Sequence, residues 1–184
     1  MLETLETWDS KLFVFLNNLG IEQFDTFWIF ITQIESWTPL FIYFAVLVFY
    51  FYGGKKGFVV FFFATLTFTL ALSLTNFTKE YFGRLRPNNT EELSSVIRIL
   101  QDPNSFSFFS GHASSSFGIT TFLVLMLRKF DKWIYLAFLW PVLFVLSRIY
   151  VGVHYPSDIL VGTLVGVGIA FFLRWICTKL LYRI

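Results

Sequence analysis

From Gly57 to Thr78 the chain runs without a single charged side chain. A helix needs about 20 apolar residues to cross the hydrocarbon of a bilayer. A helix that is apolar all round must be enclosed all round, by a large core or by lipid. The feature recurs along the chain. Residues 37–52, 57–81, 111–127, 133–151 and 156–181 each read as a span. Composition agrees: of 184 residues, 56% are hydrophobic, 26 are Phe and only 14% are charged. Soluble domains carry about 25% charged residues. The expected fold is all-α, a polytopic transmembrane helix bundle of five full spans, with six as the alternative. It forms a single membrane domain, residues 1–184, set in the lipid bilayer.

Residues 1–36 differ from the 37–184 core. Leu5, Trp8, Leu12, Phe15, Leu16 and Leu19 recur at helical spacing, with Glu6, Asp9 and Lys11 between them. That pattern predicts an amphipathic helix at a membrane surface, ended by residues 17–20. A second apolar stretch, 24–34, is flanked by acids and too short to cross alone. The acidic N-terminus lacks the basic region of a cleaved signal peptide.

A net charge of +2 without a basic tract argues against a nucleic-acid partner. The lone Cys177 forms no internal disulfide, and one Cys with two His cannot build a structural zinc site.

Alternation of five spans puts Lys55, Lys56, Arg128, Lys129, Lys132, Arg174, Lys179 and Arg183 on one side, eight of the 14 basic residues. Cytoplasmic loops are enriched in Lys and Arg. That side is therefore read as cytoplasmic, and the loop 82–110 faces outward.

The polar groups that border the spans gather on the outward side. They are Lys79, Arg86, His112, Arg148, His154 and Asp158, and they include both histidines of the chain. Charges at the membrane are expensive and face a cavity or each other. Three basic groups on one side suit an anion of several charges, and phosphate is the obvious one. Ser110-Gly111-His112 opens a span, where free backbone N–H groups can hold a phosphate oxygen and Gly111 permits close approach. Asp158 lies four residues after His154, across Pro156, where it can hold the imidazole in one tautomer.

These residues carry a resemblance. The stretch Lys79-Glu80-Tyr81-Phe82-Gly83-Arg84-Leu85-Arg86-Pro87 resembles the first signature, Lys-x6-Arg-Pro, of the type 2 phosphatidic acid phosphatase family. Ser110-Gly111-His112 is similar to the core of its second, Pro-Ser-Gly-His, with Phe109 in the place of Pro. Ser147-Arg148-x5-His154-x3-Asp158 matches its third.

The resemblance implies a membrane-bound lipid phosphatase. In it Lys79, Arg86 and Arg148 bind phosphate, assisted by Ser110 and Gly111. His154 is the nucleophile, Asp158 orients it, and His112 is the general acid and base. It implies no metal and no cofactor. It also implies a bacterial cytoplasmic membrane with the site on the periplasmic side. The expected partner is a phosphorylated membrane lipid: undecaprenyl diphosphate, phosphatidylglycerophosphate, phosphatidic acid or lipid A phosphate. A lipid phosphotransferase using the same site and a non-enzymatic phospholipid binder are the alternatives. Gly162 and Gly166 make a small-xxx-small pattern that fits close packing on a neighbouring helix, or alternatively a homo-oligomer interface. Arg84 is read at even weight as a site residue or a headgroup contact.

Overall fold

A computed structural model describes residues 2–184, with side chains from residue 5 onward. All regular structure among them is helical. Helix α1 (Leu2–Asn18) is followed by a 3-10 turn and the short α2 (Asp25–Ile31). A second 3-10 turn, Ile34–Trp37, leads into α3 (Thr38–Tyr52), which carries Pro39 in its first turn, where a missing N–H costs nothing. Helix α4 (Gly54–Phe82) is the longest and stops at Gly83, whose φ of 59° is the left-handed C-cap conformation. The loop beyond holds a single turn, α5 (Glu91–Ser94). Helix α6 (Gly111–Leu127) starts behind Ser110, and a 3-10 segment precedes α7 (Leu139–Tyr150). Helix α8 (Pro156–Leu181) closes the bundle.

Four segments are long and apolar enough to cross a membrane: Ile34–Tyr52, Gly54–Ser94, Lys132–Tyr150 and Pro156–Leu181. The expected fifth, α6, is shorter at 17 residues. Its surroundings give the reason. Almost every side chain of α6 beyond His112 is buried, including Ser114, Ser115, Ser116, Thr120 and Thr121. A helix enclosed by protein need not match the thickness of the hydrocarbon, and its hydroxyls find partners inside the bundle. Thr120 accepts a 2.7 Å bond from the Trp140 indole, and Ser114 meets Thr75 at 2.8 Å.

Contact between α6 and α8 is backbone to backbone. A Cβ on Gly162 would lie 2.6 Å from the Ser110 carbonyl oxygen, and one on Gly166 would lie 2.1 Å from that of Ser114. The small-xxx-small face is therefore occupied within the chain. Lower down, Phe44, Val48, Val60, Phe122, Leu127 and Phe144 fill the interior. Phe58, Phe62, Phe171 and Phe172 lie on the outer surface, where lipid replaces water as the solvent.

Helix α1 docks against this bundle by its polar side. Leu5, Trp8, Leu12, Phe15 and Leu19 are exposed, whereas Phe13 and Asn17 are buried completely. The Asn17 amide donates to the carbonyls of Ile149 (2.9 Å), Tyr150 and Arg98, and its oxygen accepts from the Arg98 N–H at 2.7 Å. Helix α2 is held by Asp25, which pairs with Arg98 at 2.6 Å and accepts from the Tyr150 hydroxyl at 2.8 Å. The N-terminal segment is thus fastened to the C-terminal end of α7, just before His154.

Candidate active site

The expected site residues reach one end of the bundle from four helices and two of the loops between them. Lys79 comes from the last turn of α4 and Arg86 from the loop behind it; Ser110, Gly111 and His112 open α6; Arg148 ends α7. His154 lies in the turn between α7 and α8, and Asp158 in the first turn of α8. Lys79, Arg86 and Arg148 are each less than a tenth exposed, at 8%, 4% and 4%. Burying three like charges is costly unless an anion is there to share them. All three line a cavity of about 510 Å³, with Gly111, His112 and Ser115 on its wall. The ring of His112 packs on Phe144 with centroids 4.7 Å apart.

His154 lies behind that cavity, 1% exposed. Its Nε2 is 3.0 Å from Arg86 Nη1. A guanidinium only donates, so Nε2 is the unprotonated nitrogen and Nδ1 carries the hydrogen. Nδ1 faces Asp158 Oδ2 at 3.3 Å and Ser107 Oγ at 3.4 Å. The imidazole is thereby held in the tautomer whose Nε2 lone pair points at the Arg86 guanidinium. Burial, then the guanidiniums of Arg86 and Arg148, hold its pKa well below the usual 6.5.

Asp158 is fully buried and fully engaged. Its Oδ2 also accepts from Ser107 Oγ and, at 3.0 Å, from the Tyr155 N–H, which is a helix-capping contact. Its Oδ1 accepts from Arg84 at 2.7 Å. Capping and orientation of His154 are thus combined in one carboxylate. Arg84 belongs to the site. Its other arm bonds Asp9 Oδ2 at 2.7 Å, and its plane lies over the Tyr155 ring at 4.0 Å. Asp9 in turn accepts from the Ser157 N–H and hydroxyl at the head of α8.

Ser110 sits differently from expectation. Its amide donates to the Asp158 carbonyl at 3.0 Å, and its hydroxyl caps α6 by accepting from the Ala113 N–H. The helix amides without an intrahelical acceptor are those of Gly111 and His112. Ser110 fastens α6 to α8, and Gly111 is the residue on the cavity wall.

Several contributors carry no sequence signal. Arg86 is fixed by Ser105, through Nε to the carbonyl at 2.6 Å and Nη2 to the hydroxyl at 3.0 Å. Arg148 Nη1 donates to Thr32 and, at 2.9 Å, to Gln101. Its Nε is buried with no acceptor among the described residues. Thr32, Ser105, Ser107 and Gln101 are ordinary polar residues outside the three signatures. The second signature's Phe109 is buried, 3% exposed.

A helical membrane bundle with a cation-lined cavity at one end, His112 on its wall and His154 behind it, is the frame of a membrane phosphatase. The PAP2 superfamily model matches residues 58–181, and the chain belongs to that family. The lipid A 4'-phosphatase of Bacteroides thetaiotaomicron is 29% identical over 100% of this chain and 83% of its own length. The undecaprenyl-diphosphatase of Sulfolobus acidocaldarius is 34% identical, over 58% of this chain and 50% of its own. The crystal structure of a PAP2-type phosphatidylglycerolphosphate phosphatase from Bacillus subtilis shares the fold. Its TM-score is 0.72 at 24% identity, covering 96% of this chain and 87% of that one. The protein is an integral membrane hydrolase of lipid phosphate esters.

Proposed function

We propose that this phosphatase removes phosphate from a lipid headgroup at the extracytoplasmic face of a bacterial cytoplasmic membrane, through a phosphohistidine on His154. The observation that carries the reading is the His154 ring, with Nδ1 against Asp158 and Nε2 against the Arg86 guanidinium. Lys79, Arg86 and Arg148 hold the phosphate oxygens, joined by the N–H groups of Gly111 and His112. Arg148 Nε, without an acceptor among the described residues, is a donor ready for such an oxygen. As phosphate takes up Arg86, the Nε2 lone pair is freed to attack phosphorus. The P–O bond to the lipid breaks, and His112 gives its proton to the leaving alkoxide. Asp158 stabilises the positive charge that develops on the His154 ring. Water then attacks the phosphohistidine, His112 takes the water proton, and inorganic phosphate leaves.

Among candidate lipids, lipid A phosphate stands first, because the Bacteroides relative aligns over the whole chain. Undecaprenyl diphosphate stands second, on a relative that aligns over 58% of it. Purified protein in detergent should be given these two lipids, phosphatidylglycerophosphate and phosphatidic acid in parallel. EDTA is present throughout, and the His154→Ala variant runs beside each. Release that survives EDTA and vanishes in the variant supports the reading, and the fastest lipid names the substrate. Release abolished by EDTA, or retained in the variant, contradicts it. Phosphate delivered to an added lipid acceptor instead of water would make the enzyme a transferase.

A further inference from the structure

The end of the bundle farthest from His154 holds a second cationic pocket. Lys56, Lys129 and Arg174 meet there around a cavity of about 410 Å³. Lys56 opens α4, whose opposite end carries Lys79. At 1.5 Å per residue the two lysines are about 35 Å apart along that helix, roughly the thickness of a bilayer. Lys129 follows the end of α6, and Arg174 lies in the last turns of α8. An anion bound here cannot be the one that reacts at the other end.

The pocket has charge without compensation. No carboxylate lines it, and none of its three cations forms an ion pair among the described residues. Its wall is stiff and aromatic. Lys129 Nζ lies 5.0 Å from the Tyr52 ring centroid and 4.6 Å from that of Phe130. Phe130 stacks on Phe51 at 4.9 Å, and the Tyr52 hydroxyl is pinned to the Met126 carbonyl at 2.8 Å. A ring face steers an ammonium without neutralising it, so the donors stay free for an oxyanion. Leu125 and Leu181 add apolar edges to the same cavity.

We propose that this pocket binds the headgroup of an anionic phospholipid in the leaflet opposite the active site. The lipid phosphate would accept from Lys56, Lys129 and Arg174, with its acyl chains against the apolar edges. A volume of this size suits a phosphoglycerol headgroup. A zwitterionic lipid carries its own cation beside the phosphate and gains less. Free phosphate makes the same polar contacts and forgoes the apolar ones. The inference is independent of the reading given to His154.

The test is native mass spectrometry and thermal unfolding of the full chain in a neutral detergent. Phosphatidylglycerol, phosphatidylcholine and inorganic phosphate are titrated separately. Phosphatidylglycerol should bind saturably and raise the midpoint, also in His154→Ala, while phosphatidylcholine leaves it unchanged. Lys129→Gln combined with Arg174→Gln should abolish the phosphatidylglycerol response and leave phosphatase activity in detergent unaltered; any response to inorganic phosphate, which the active-site cavity also accepts, should be the same in that variant as in the parent. Lys56→Gln alone, which keeps the aromatic wall, should weaken binding about tenfold through one lost charge-assisted bond. Equal binding of phosphatidylcholine, or phosphatidylglycerol binding that survives both sets of substitutions, would overturn the proposal. An inorganic phosphate response that matches the lipid's and is lost in Lys129→Gln with Arg174→Gln would make this a free-anion site and would overturn its lipid assignment.

Discussion

Replacing Arg84 by Gln should slow the enzyme while leaving its affinity for substrate nearly intact. Arg84 joins two carboxylates by separate arms, Asp158 and Asp9, each at 2.7 Å, with a third contact to Ser157 Oγ at 2.8 Å. Asp158 is the only fully buried member; Arg84 keeps 24% of its side chain exposed. Removing one partner of a buried pair costs about 3–5 kcal/mol. The partial exposure of Arg84 and the three donors Asp158 retains put the loss near the lower end, about 3 kcal/mol.

The proposed chemistry needs Asp158 as an ordered carboxylate when His154 gains positive charge. The loss therefore falls on the transition state, and kcat/KM drops about 100-fold, mainly through kcat. Arg84→Lys keeps the charge but not the fork, and should lose roughly tenfold. Asp9→Asn breaks only the outer arm and should lose less than either. Steady-state rates on the lipid found fastest, with unfolding midpoints alongside, make the measurement. If Arg84→Gln lowers the midpoint but keeps kcat/KM within about threefold of the parent, the link from Arg84 through Asp158 to His154 is wrong.

Other outcomes follow from the same geometry. Because the folded protein keeps His154 neutral below its usual 6.5, the unfolded chain binds a proton there that the native state refuses. Stability should therefore fall as pH drops below about 6.5, and a His154→Gln variant should show a shallower fall in its unfolding midpoint. Gly166→Ala places a Cβ 2.1 Å from a backbone oxygen of α6, whereas Gly168→Ala meets nothing within 4 Å. The first should cost about 1–3 kcal/mol and the second almost nothing, read as loss of folded protein on heating. Cys177 is buried, so single cysteines report sidedness cleanly. An impermeant maleimide should label Glu92→Cys in intact cells and Lys55→Cys only after permeabilisation; the reverse pattern would invert the proposed orientation.

Much of this architecture is legible in the sequence because lipid imposes a simple rule. Charge-free runs become helices, and the residues that break the rule mark the candidate site. Lys79, Arg86, His112 and Arg148 stand out for that reason, and all four line one cavity.

Periodicity is less informative about α1. It identifies the stripe Leu5, Trp8, Leu12 but not the medium that stripe faces. In the structure the stripe is exposed, and Asp9, Phe13 and Asn17 face the protein. In α6 the hydroxyl-rich turn after His112 foreshadows a helix enclosed by protein, but spacing alone does not separate that from a span.

The supports of the site were out of reach for a different reason. Thr32 lies 116 residues from Arg148, and Ser107 lies 51 from Asp158. Each is a common polar residue made important only by the tertiary fold. In the sequence Arg84 is ambiguous because two arginines flank Leu85, and only the structure separates their contacts: Arg86 goes to His154, Arg84 to Asp158.

Phosphate transfer to His154 is tested most directly by acid-free rapid quench of a single turnover with a lipid labelled in the scissile phosphate, followed by peptide mass analysis. A transient, alkali-stable and acid-labile phosphoryl group should appear on His154 and be absent from His154→Ala. Full turnover without label on the chain, or label on another residue, would contradict it.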